Sequence, residues 1–243
     1  MTDTTAAPAP ITVALVHGAF ADSSGWSGVV EELQAEFVSV QAIINPLRGI
    51  SHDTDYVASA LGQIPGRVLA VGHSYGGAII TNAATRAGNV VGLVYVAAFA
   101  PDEGEVLGDI TAGSKDSVLN TALVELQYPS PDGHATEYAI HPDHFHHAFA
   151  ADVSETEARV MAAVQRPVAA AAFTEKSGPP AWKELPSWAI VAGADTAAGA
   201  DVVRAMAKRA NATSVEVDAS HVVMVSQPAA VTAVIHQALE ALT

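Results

Sequence analysis

With 243 residues, half of them apolar and only 15% charged, the chain has the material for a large core, and global disorder is excluded. Against 26 acidic side chains stand 11 basic ones, a formal charge of −15. This excess argues against nucleic acid and against docking on anionic membranes, both of which rest on Lys and Arg. No cysteine is present, so disulfides, thiol nucleophiles and thiolate metal sites drop out, leaving a soluble enzyme or small-molecule binder.

Met1 to Pro10 carries no basic residue and no apolar run before a cleavage-like site, so no targeting signal is expected and the cytoplasm is the default compartment. From Ile11 onward the pattern alternates strand-like and helix-like segments. Ile11–Val16 is an apolar run ending at His17-Gly18, and 24–36 follows with helical spacing. Residues 37–44 form the next strand candidate, 45–49 a turn, and 51–64 a helix opened by a Ser or Asp cap. A strand at 67–71, a helix at 74–87 closed by Gly88, and a strand at 90–97 come next. After residue 186 the rhythm resumes with a strand at 187–192, a helix at 199–210, a strand at 213–217 and a helix at 228–242.

Strands that are apolar throughout are buried on both faces, as in a parallel sheet covered by helices. The predicted fold is therefore α/β: a doubly wound, mostly parallel sheet of about six strands flanked by helices. Residues 100–186 interrupt the alternation with eight prolines and helix-like pieces at 114–126, 143–150 and 154–173. So long a structureless loop is improbable in a compact domain. The expectation is one domain over 1–243, with a core at 11–99 and 187–243 and a mostly helical cap inserted at about 100–186 over the C-terminal edge of the sheet.

The chemistry-bearing text is Gly72-His73-Ser74-Tyr75-Gly76-Gly77, set between a strand and a helix. A tight turn there presents Ser74 at the sheet edge, and the glycines let backbones come close. A serine hydroxyl needs a base, itself oriented by a third group. His221 lies in the loop after the last strand and Asp195 in the loop after the one before, with Asp102 as the rival acid. Two backbone N–H groups must receive the developing oxyanion, one from Tyr75 and one from Ala19, with Phe20 as the alternative, in the loop after the first strand. His17 is expected to hold that loop. Phe20, Phe99, Trp182 and Met224 are candidates to line the substrate pocket, with Trp26 and Tyr75 as further aromatic neighbours.

These residues, with Tyr95-Val96-Ala97-Ala98-Phe99-Ala100-Pro101, make the chain resemble the α/β-hydrolase superfamily over Ile11 to its C-terminal end. It is most similar to compact bacterial esterase-like members, and in arrangement to plant methyl-ester hydrolases and hydroxynitrile lyases. The resemblance implies a Ser74–His221–Asp195 triad, an oxyanion hole at Ala19 and Tyr75, a small-molecule ester substrate and no cofactor. Two departures stand out: Ala197-Ala198-Gly199 where relatives often place a proline after the acid, implying a looser loop, and Asn45-Pro46-Leu47-Arg48-Gly49 where they have a glycine-rich turn. Asp in place of Ser74 would mark epoxide hydrolases and haloalkane dehalogenases. The functional expectation is an ester hydrolase working through an acyl-enzyme. The alternatives are a lyase or perhydrolase on the same site, and a non-catalytic ligand-binding member. The cluster His134, His141, His144, His146 and His147, with Asp143 and Asp152, lacks zinc-ligand spacing and reads as surface histidines, so no metal is expected. The sequence does not reveal the oligomeric state.

Overall fold

The structure, a computed structural model, describes residues 10–243; the targeting reading of Met1 to Pro10 falls almost wholly outside them. In chain order the core supplies β1 (Ile11–Val16), α1 (Ser27–Ala35), β2 (Val40–Ile43), α2 (Ile50–Gly62), β3 (Arg67–His73), α3 (Tyr75–Ala87) and β4 (Val90–Val96). Between β4 and the next core strand come α4 (Leu107–Gly113), α5 (Leu119–Ala122), β5 (Leu123–Ser130), β6 (Gly133–Ile140), α6 (Pro142–Phe149), α7 (Glu155–Val164), β7 (Val168–Ala169) and α8 (Ala171–Thr174). The chain then returns through β8 (Ser187–Ala192), α9 (Ala200–Arg209), β9 (Thr213–Val217), α10 (Val223–Ser226) and α11 (Pro228–Leu242).

Six strands in the order β2-β1-β3-β4-β8-β9 form one sheet in which every pair is parallel, as the apolar runs predict. The four inner strands are almost wholly buried because helices cover both faces. The outer strands β2 and β9 are partly exposed, and β9 accordingly carries Thr, Ser and Glu. Strand order leaves β1 in opposite directions toward β2 and β3, so the crevice beyond the C-terminal ends of β1 and β3 is the topological switch point, where ligands bind in such sheets. Among the described residues no helix is long and apolar enough to cross a membrane.

Residues 100–186 do carry helices, but also a three-stranded antiparallel sheet, β5-β6-β7, that the periodicity did not predict. The predicted helix at 114–126 is a single turn at α5 that runs straight into β5. Its first half is instead pinned as a loop: Lys115 N–H donates to Asp201 Oδ2 at 2.9 Å, and Ser117 Oγ to the Ala197 carbonyl at 2.6 Å. The predicted helix at 154–173 ends at Val164, since Pro167 disfavours helical geometry in the residue before it. Its Ser154 cap accepts from Glu157 N–H. The Asn45–Gly49 turn is clamped to the same segment. Arg48 pairs with Glu137 at 2.9 Å, Ala169 N–H donates to the Leu47 carbonyl, and Arg166 donates to the Asn45 carbonyl at 3.0 Å.

Candidate active site

Ser74 stands between β3 and α3 with φ 53° and ψ −124°, a conformation that L-residues seldom adopt. Its N–H donates to Val96 and its carbonyl accepts from both Gly77 and Phe99, so backbone on both sides fixes the strained turn. The turn is also too crowded for side chains. A Cβ on Gly72 would lie 2.6 Å from the Gly76 carbonyl oxygen, and one on Gly76 would lie 2.4 Å from that of Val16. Gly18 meets the turn from the β1 side, where an added Cβ would fall 2.7 Å from Ser74 Cβ. The glycines thus press the loop after β1 against the elbow.

His221 follows β9 and Asp195 follows β8, and both are 1% exposed. His221 Nδ1–H donates to Asp195 Oδ2 at 2.7 Å, leaving Nε2 as the ring's free acceptor. The other carboxylate oxygen, Oδ1, accepts the N–H groups of Ala197 and Ala198 at 2.9 and 3.0 Å. These bonds, with Val118 N–H on the Thr196 carbonyl, fasten the loop that lacks the proline of its relatives, so it is not loose. Asp102 is elsewhere, paired with Lys183 at 2.5 Å.

Ser74, His221, Ala19 and Tyr75 line one small cavity together with Phe20 and Phe99, and residues 100–186 add Leu107, Leu119, Phe149 and Phe173. Its free volume of about 10 Å³ is room for roughly one water. Trp182 does not reach it: its indole N–H donates to the Pro101 carbonyl, on the side of Lys183 and Arg209. Met224 lines a neighbouring apolar groove rather than this cavity, and Phe20 borders both. Trp26 is core, edge-on to the His73 ring.

His17 holds its loop as expected: Nδ1–H donates to the Gly18 carbonyl, and Nε2 accepts from Asn45 N–H at 3.0 Å. Burial lowers its pKa from 6.5 to about 4, so it is neutral at pH 7. Three further side chains support the site, and sequence reasoning gave none of them that role. Buried Asp53 accepts the Tyr75 hydroxyl at 2.9 Å and the Arg48 N–H at 3.0 Å, fixing the residue after Ser74. Its readable signal was a carboxylate on the apolar stripe of α2, in register with Ile50, Thr54, Val57 and Leu61. Asp152 accepts both the N–H and the hydroxyl of Ser220, next to His221. Burial works to raise its pKa, yet the bonds from Ser220 hold it below the ordinary carboxylate range. His73 donates Nε2–H to the His221 carbonyl at 2.9 Å, its ring 4.6 Å from that of His221. Burial pushes its pKa well down, which keeps a second positive charge out of the site. The five histidines of 134–147 do not converge, and among the described residues no group of three potential ligands does.

In fold the chain is similar to polyneuridine aldehyde esterase, with a TM-score of 0.78 at 18% identity over 94% of this chain and 99% of that one. It is also similar to a methylesterase from Arabidopsis, with a TM-score of 0.77 at 19% identity over 96% and 100%. A pyrethroid hydrolase from Sphingobium faniae JZ-2 matches with a TM-score of 0.75 at 21% identity over 96% and 98%. No curated protein matches in sequence. The model of the alpha/beta hydrolase family matches residues 13–234, which include every residue of the site just described, and the chain belongs to that family.

Proposed function

We propose that the protein is a serine esterase that cleaves small to medium neutral carboxylic esters through an acyl-enzyme, with residues 100–186 as its cap. The observation that carries this reading is that strained Ser74, Ala19, Tyr75 and a His221 held by buried Asp195 line one largely apolar cavity. His221 Nε2 takes the proton from Ser74 Oγ as that oxygen attacks the ester carbonyl carbon. Asp195 holds the ring in the tautomer that leaves Nε2 free, and stabilises the imidazolium that forms. The carbonyl oxygen, now negative, is received by the N–H groups of Ala19 and Tyr75 at the positive end of α3. His221 then protonates the departing alkoxide, and water activated by the same nitrogen releases the acid.

The cavity lining is apolar and includes no Lys or Arg to stabilise a departing cyanide, which favours esters over hydroxynitriles. The esterases and the pyrethroid hydrolase of like fold support the same class. The test is intact mass after treatment with a fluorophosphonate, beside p-nitrophenyl acetate and butyrate turnover, for wild type and Ser74→Ala. One adduct and ester turnover, both lost in the variant, are expected. A folded wild type with neither overturns the reading.

A further inference from the structure

The cavity at Ser74 has room for roughly one water, so an ester bearing any chain must place that chain elsewhere. A second hollow of about 200 Å³ lies directly beside it. Two aromatic side chains, Phe20 and Phe149, line both spaces. They meet edge to face at 6.2 Å. Phe149 also lies 4.9 Å from the His221 ring. α7 lines the hollow with Val160 and Val164, four residues apart and so on one helix face, which are 59% and 55% exposed. Met224 and Val225, just after His221 in the chain, line it as well.

We propose that this hollow receives the unbranched apolar tail of the substrate, admitted when the Phe20 and Phe149 side chains swing aside; the inference rests on the esterase reading above. The apolar lining rewards each methylene that leaves water, about fourfold in affinity when buried. Asp22 and Glu157 at the rim disfavour a tail that ends in a carboxylate. The occupant is therefore a neutral alkyl chain, on either the acyl or the alcohol side of the ester.

Two substrate series separate these sides: p-nitrophenyl alkanoates from acetate to dodecanoate, and alkyl acetates from ethyl to decyl. Val160→Trp fills the hollow from an exposed helix position that tolerates bulk. In one series wild-type kcat/KM rises with chain length, and the variant lowers the long-to-short ratio by about tenfold. The series in which this happens identifies the end of the ester that carries the tail. If wild type cleaves the short esters but the ratio is unmoved by Val160→Trp in both series, the tail site is refuted and the esterase reading stands. If wild type cleaves no ester and takes no fluorophosphonate, the esterase reading itself fails, and the tail site with it.

Discussion

Gly76→Ala would place a methyl carbon 2.4 Å from the carbonyl oxygen of Val16 and 2.8 Å from that of His17. Both obstacles are backbone at the end of β1, so neither can rotate away. Carbons do not approach closer than 3.0 Å, and the elbow and the loop after β1 must therefore part by about 0.6 Å or more. Tyr75 precedes the substituted position and Ala19 belongs to the displaced loop, so the two proposed oxyanion donors separate by a similar amount. Misplacement by about 1 Å costs on the order of 100-fold in rate, so kcat should fall by about 10- to 100-fold with KM changed far less. Overpacking of this kind should also cost about 1–3 kcal/mol of stability. The assay is p-nitrophenyl butyrate kinetics with the folded fraction titrated by fluorophosphonate, beside urea unfolding followed by circular dichroism. A variant with wild-type kcat per folded molecule would refute the coupling of the glycine contact to the donors, whatever its stability.

Asp195→Asn removes the charge that stabilises the imidazolium and permits the wrong tautomer, so kcat should fall by about 1,000-fold or more, whereas Asp102→Asn should stay within about twofold of wild type. The reverse ranking in steady-state kinetics would transfer the orienting role to Asp102. Tyr75→Phe strips one hydrogen bond from the buried Asp53 carboxylate and should cost about 1.5–3 kcal/mol in urea unfolding. An unchanged midpoint would refute the anchoring role of Asp53. His17 stays neutral in the folded protein down to about pH 4, while the unfolded chain takes up the proton near 6.5. Its contribution is thus complete above pH 6.5 and lost as the pH falls toward 4, amounting to about 3 kcal/mol. Buried His73 acts with the same sign. Unfolding free energies at pH 4.5, 5.5 and 6.5 should therefore fall less steeply for His17→Gln than for wild type, and parallel slopes would refute the assignment.

The sheet was legible because its inner strands are apolar on both faces and its helices begin and end at readable signals, such as Gly88 at φ 73° after α3. The elbow was legible because spacing and context coincide at residues 72–77. The antiparallel pair β5-β6 was not, because much of it is exposed and its polar residues hide the alternation. The Pro131-Asp132-Gly133 turn was the one local clue, with Gly133 at φ 117°. Asp53, Asp152 and His73 escaped for a different reason. Each acts through a partner far away in the chain, and spacing cannot show that Asp152 meets Ser220 or that His73 meets the carbonyl of His221.

The position of β9 bears on how the protein matures. β9 is the outermost strand, paired only with β8, and His221 hangs from its end. Ribosomal synthesis delivers Ser74 roughly 150 residues before His221, and parallel pairing between distant segments is slow to form. On the proposed chemistry, a nascent chain with β1, β3 and α3 already docked has its serine but lacks the base that takes the proton from it. The base that activates Ser74 reaches the elbow only once the segment carrying β9 and His221 has been made and β9 pairs with β8.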